Sequence, residues 1–207
     1  MFPNLIRPAG FASSGGVGGS YSTAIALTQG RTGLTAIFTG LVDDGSTVLG
    51  DIGFDFPLYG ALYRSNIFAG SNGFLTFGFG SSAYSALSRT VPGRALMVIA
   101  ADHNYVYVGV KAGIGSFRVR WEGQYLRSAS VTAVLIWEAT FFSNGVIQLA
   151  LDVLPQNITT TVSSLTKGDG VTFTDYVPNI FSAPDSLVFT PNDAGGNSHT
   201  VQHGSYV

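Results

Sequence analysis

Cysteine is absent from the 207 residues, which removes thiol chemistry and disulfide staples and speaks against a disulfide-rich exported domain. Charge is scarce as well: Asp, Glu, Lys and Arg make up 11% of the chain, less than half the usual share of about 25%. The ten basic residues are spread along the sequence, and the formal net charge is −2. No basic stripe exists that would neutralise a run of phosphates, so nucleic-acid binding is not expected. No apolar run approaches the roughly 18 residues of a membrane span, so no membrane partner is expected either. The opening segment has Pro3, Pro8 and scattered Gly where a secretion signal would carry a continuous apolar stretch, and no export signal is read. Helical periodicity is missing too. Gly or Pro interrupts nearly every window long enough for an amphipathic helix.

What the chain does have is 27 Gly, 15 Phe and 9 Tyr within a 45% hydrophobic composition. That content excludes disorder, which needs few aromatics and much charge. The length fits one domain, and the sequence reads as three parts. Residues 1–32 are an extended, Gly/Ser/Thr-rich N-terminal arm whose large apolar anchors are Phe2, Leu5, Ile6, Phe11 and Tyr21. Residues 33–176 form a β-sandwich domain, and residues 177–207, with Pro178, Pro184 and Pro191, an extended C-terminal arm. Strands are expected at 34–41, 52–56, 63–69, 74–79, 96–101, 105–110, 116–122, 131–142, 146–153 and 171–176. Short strands between turn residues at such intervals argue for an all-β, antiparallel, jelly-roll-like sandwich. Ser143-Asn144-Gly145 is the strongest hairpin signal. A second turn is expected around Leu58-Tyr59, where Pro57 fixes φ and Gly60 is free.

In Phe117-Arg118-Val119-Arg120-Trp121-Glu122 the apolar residues fall on one face and the charged ones on the other, the pattern of a half-buried strand with a solvated outer face. Residues 131–137 are apolar on both faces and suit either a central strand covered on both sides or one face of a subunit contact. Phe54, Phe56, Phe74, Phe77, Phe117, Trp121, Trp137 and Phe141 are the expected core. At roughly 150–250 Å² each, such aromatics fill the space between two sheets without disulfides.

Three stretches, Asp43-Asp44-Gly45-Ser46, then 52–60 (IGFDFPLYG), then 71–78 (SNGFLTFG), resemble the opening of the nidogen-type β-sandwich module of bacterial surface proteins. Phe117 to Gly123 resembles that module's FxVxWxN strand, with Gly in place of the last Asn. Residues 135–149 resemble its Asn-Gly hairpin, and residues 161–176 its closing segment. The resemblance spans about two-thirds of the chain. It implies a sandwich fold and an adhesive or structural role rather than an activity.

Catalytic chemistry has few candidates. The two Glu, Glu122 and Glu138, each follow a Trp. A glycosidase needs two carboxylates about 5–10 Å apart in a cleft, whereas Glu122 shares a face with Arg118 and Arg120 and reads as a cross-strand surface pair. Asp102-His103 lacks the Gly-x-Ser-x-Gly elbow of a hydrolase triad. His199 and His203 stand four apart in a polar tail without a helical face or an intervening Glu. No catalytic, cofactor-binding or metal residue is assigned. Calcium is kept as an alternative, because Asp43, Asp44, Asp51, Asp55 and Asp169 lie on Gly-rich turns, though none has EF-hand spacing. Tyr59, Tyr63, Tyr84, Tyr105, Tyr107 and Tyr125 are candidates for stacking on sugar, which would make a glycan the ligand. The Asn157-Ile158-Thr159 sequon matters only in an exported protein.

These features together lead to an expected non-enzymatic structural protein of a bacteriophage virion, made in the host cytoplasm. A capsid decoration or cement protein stands ahead of a tail-fibre, adaptor or neck subunit. Its arms would join it to other virion proteins and to copies of itself. The alternative is a carbohydrate-binding or adhesive sandwich at a cell surface or virion tip.

Overall fold

A strand that alternates apolar and polar residues buries its apolar face only against a second layer, and the chain builds two sheets to provide it. The computed structural model describes residues 20–82, 93–100, 103–125, 134–153, 162–176 and 184–207. Phe2, Leu5, Ile6, Phe11, Tyr84, Asp102 and the 157–159 sequon lie outside the described residues.

The larger, seven-stranded sheet runs in the order β16 (His199–His203), β15 (Asp185–Pro191), β12 (Ile147–Val153), β11 (Val134–Phe142), β10 (Ser116–Tyr125), β9 (His103–Gly113) and β2 (Thr35–Asp43). The smaller, six-stranded sheet runs β14 (Phe173–Asp175), β13 (Val162–Thr166), β8 (Arg94–Ala100), β7 (Phe74–Phe77), β6 (Ile67–Gly70) and β3 (Ser46–Val48). All pairings are antiparallel. Two short ribbons complete the set: β4 (Phe56–Leu58) with β5 (Ala61–Tyr63), and β1 (Tyr21–Ser22) with β17 (Ser205–Tyr206). The protein is an all-β sandwich, and no helix occurs among the described residues.

The core lies between the two sheets. Trp121 and Trp137 are opposite each other in the β10–β11 register and stack with ring centroids 5.7 Å apart and planes 7° from parallel. Phe56, Phe77 and Phe141 close around one another edge to face and stacked, an arrangement that suits the ring quadrupoles. Phe56, Phe77, Phe117, Trp121, Trp137 and Phe141 are buried in this cluster, and Phe54 is only partly buried at its margin. Phe74 is buried as well, but on the opposite face of the smaller sheet with Ala95, Met97 and Ala100.

Two local features follow from the turn residues. The β4–β5 turn places Tyr59 and Gly60 at φ of 48° and 74°, the pair of positive values that a two-residue hairpin turn requires. Tyr59 accepts this because its ring is buried against His199 and its hydroxyl donates to the Leu165 carbonyl. Gly123 sits at a register shift between β10 and β9. A Cβ there would lie 2.2 Å from the Trp121 ring and 2.4 Å from the Asn104 carbonyl oxygen, so this strand position admits glycine alone.

Both expected arms need correction. The segment 184–207 supplies β15, a strand inside the larger sheet, together with the edge strand β16 and the short β17. It is part of the sandwich. The described part of the N-terminal arm lies on the chain's own domain. After β1 pairs with β17, residues 23–33 cross the outer face of the larger sheet to reach β2 at its far edge.

Candidate functional site

Three arginines and three carboxylates converge where this crossing segment, the strap, meets the sheet. The alternation of β10 sends Arg118, Arg120 and Glu122 outward, and Glu138 reaches the same face from β11, where it pairs in register with Arg120. None of them is solvated. Their exposures are 6%, 6%, 8% and 3% in that order. The expected solvated outer face is therefore a buried one, because the strap lies over it.

The strap crosses the strands in spatial order. The Ala26 N–H donates to Ser186 Oγ on β15 at 2.8 Å, and Thr28 Oγ1 donates to Asp152 Oδ2 on β12 at 2.9 Å. The Gln29 N–H donates to Glu138 Oε2 on β11 at 2.9 Å. Arg31 grips Glu122 on β10 with two donors, Nε to Oε1 at 3.0 Å and Nη2 to Oε2. Its guanidinium also lies 4.0 Å from the Tyr107 ring centre on β9, a cation–π contact. Arg118 Nη2 returns a bond to the Thr32 carbonyl at 3.0 Å.

Within the sheet the charges interlock. Arg120 donates through Nε to Glu122 Oε1 and through Nη1 to Glu138 Oε1 at 2.9 Å, so that one guanidinium bridges both carboxylates. Arg118 Nη1 donates to Glu138 Oε2 at 3.3 Å, and Asp152 stands 3.9 Å from Arg120. Arg31, Arg118 and Arg120 thus face Glu122, Glu138 and Asp152, and the cluster is neutral only with the strap in place. Burial pushes the Glu122 carboxyl up, but the bonds from Arg31 and Arg120 outweigh it and the net shift is downward. Arg120 is opposed by burial and held protonated by both glutamates. A carboxylate clamped in this way is a fixed charge. A general acid needs the reverse, a raised pKa and an open approach.

The C-terminal end covers a further part of the face. Tyr206 packs edge-on against Phe142, and its N–H donates to Gln148 Oε1 at 2.8 Å. Ser186 Oγ, which accepts from the strap, donates in turn to the Gly204 carbonyl.

The other candidates fall apart spatially. His103 is buried edge-on against Trp121. His203 Nδ1 lies 3.2 Å from Asp185. His199 is buried with no hydrogen-bond partner at either ring nitrogen, and burial drives its imidazole down to about 4 against the pull of Asp193. Asp51 caps the Gly53 N–H and pairs with Arg64. Asp169 accepts the Thr172 and Val171 N–H groups and the Thr172 hydroxyl, which hold it down at about 2. Among the described residues no three His, Asp or Glu side chains group as metal ligands would. Tyr59, Tyr63, Tyr105 and Tyr107 are buried and offer no ring face to a sugar.

The strap and its ion cluster were not legible beforehand. The one signal was Arg31, the arm's isolated charge after Arg7. No family model, no curated protein and no solved structure matches the chain. The nidogen-type resemblance rests on the quoted residues alone.

Proposed function

We propose that the chain is a non-enzymatic structural subunit, a building block of a bacteriophage particle. Within that class a capsid decoration or cement protein suits it ahead of a tail or neck component. The observation that carries the reading is the state of its two glutamates. Both are buried, bridged by Arg120 and roofed by the strap, which supports a role as structural charges. With only 11% charged residues and both glutamates paired inside the fold, the sandwich has few charges to present, which favours close packing against neighbours over attraction of an ionic substrate.

The strap's position narrows the assembly role of the N-terminal arm to residues 1–19, which carry Phe2, Leu5, Ile6 and Phe11. Deleting residues 1–19 leaves every strap contact in place. The truncated protein is expected to keep its β-type circular dichroism spectrum and melting temperature and to lose incorporation into its particle. Incorporation at full occupancy would refute the assembly role. A polysaccharide-cleaving activity abolished by Glu122→Gln or Glu138→Gln would refute the non-enzymatic one.

A further inference from the structure

We infer that the outer face of β10, β11, β12 and β15 is a binding site for an extended, arginine-bearing segment, occupied in cis by the strap and open to the strap of a second copy when its own lifts. The inference concerns the strap alone and does not depend on the kind of particle the chain serves.

Four observations carry it. First, no residue from 20 to 33 is buried, and the strap's large apolar side chains, Ile25 and Leu27, are 49% and 66% exposed. The hydrophobic effect therefore contributes little to holding it, and segments with few buried apolar contacts open locally while the rest stays folded. Second, no ladder ties residues 23–33 to a sheet. Their anchors are the bonds to Ser186, Asp152, Glu138 and Glu122, and the bond from Arg118. Third, the strap ends in a turn with Gly30 and Gly33 at φ of 66° and 70° and a Leu34 N–H bond to the Arg31 carbonyl. This is a compact pivot on which the segment can swing without disturbing β2.

Fourth, the charges are complementary. Glu122 is faced by Arg31 from the strap and Arg120 from its own strand, with Tyr107 its register partner on β9. Glu138 is faced by Arg118 and Arg120 from β10 and by the Gln29 N–H. Asp152 completes the set from β12. Lifting the strap removes Arg31 and leaves two guanidiniums against three carboxylates. The occupant that restores balance must bring one guanidinium, an N–H donor two residues earlier for Glu138, and another three residues before that for Ser186. A second copy's strap meets these requirements by construction.

The test uses the full chain with Arg31→Ala, a substitution at a side chain that is 57% exposed and therefore tolerated by the fold. Amide exchange at pH 7 and low salt is expected to quicken about two- to fivefold at Ala26 and Gln29 while Val119 and Trp121 stay unchanged. Equal acceleration in the core, or none in the strap, overturns the inference. The second readout is binding of a labelled synthetic peptide of residues 20–33. The variant, its own strap loosened, is expected to bind that peptide about two- to fivefold more tightly than the unmodified protein. The same peptide with Ala at position 31 is expected to bind neither. Indifference of binding to position 31 of the peptide overturns the recognition. Glu122→Gln serves as a second variant and is expected to loosen the strap while weakening capture of the peptide. Unchanged capture by Glu122→Gln also contradicts the assignment.

Discussion

Residues 117–123 of β10 are buried on both faces of the larger sheet, by opposite chemistry. Inward, Phe117, Val119 and Trp121 meet the apolar side chains of the facing sheet, where water release supplies the stability and shape sets the detail. Outward, Arg118, Arg120 and Glu122 of the same strand are equally hidden, but under a thin segment that contributes hydrogen bonds and one charge. The inner face is covered by a whole sheet. The outer one is covered by a strap with no buried residue of its own. Removing a partner on the inner face leaves a cavity, and removing one on the outer face leaves an uncompensated charge.

That contrast is open to attack at both faces. Trp137→Ala is expected to cost about 3–5 kcal/mol, read as a shift of the urea midpoint. A cost under about 1 kcal/mol would mean the stacked Trp pair is not the centre of the core. Glu138→Ala strips Arg118 and Arg120 of a shared partner and is expected to cost about 3–4 kcal/mol, within the range for breaking a buried ion pair. A near-neutral result would return this face to solvent.

Acid separates the two regions further. His199 is buried and neutral, with its imidazole lowered to about 4. In the unfolded chain it takes up a proton near 6.5, so the unfolded state binds more protons between those values. Stability is then fully present above about pH 6.5 and falls as pH drops toward 4, by about 3 kcal/mol. Glu122, held low by Arg31 and Arg120, adds a loss of the same sign below its ordinary carboxylate range. His199→Phe is expected to flatten the upper part of the curve and to leave the carboxylate part. Unfolding free energies at pH 7.0 and 4.5 read this directly. The smallest effect belongs to the strap: Arg31→Ala is expected to cost about 0.5–1 kcal/mol at low salt, and less at high salt, since its guanidinium is half exposed.

The inner half of this picture was readable from the sequence. Alternation in 117–122 and the Asn-Gly and Pro-x-x-Gly turns mark features the structure contains, and most of the expected aromatics line the core. The expected strand at 52–56 does not form as a strand, although Ile52 is buried. Strand β15 went unread because Pro184 and Pro191 bracket its Leu187-Val188-Phe189 run, and β16 because Val201 is its one aliphatic residue. The outer half was illegible for a more general reason. Alternation separates apolar from polar faces, but whether a polar face meets water depends on what crosses it. Here the covering segment comes from about 90 residues away in the chain, as the bond from Arg31 to Glu122 records. Its polar sequence gives no sign of the direction in which it runs.

The central claim, that the strap lies on its own sheet, can be tested by cross-linking, because the chain contains no cysteine. Thr28 and Asp152 touch through their side chains at 2.9 Å. In a Thr28→Cys, Asp152→Cys protein, mild oxidation is expected to form one disulfide within a single chain, seen as faster migration at monomer mass on a non-reducing gel. A disulfide-linked dimer as the main product, or two thiols that stay free under the same oxidation, would contradict it.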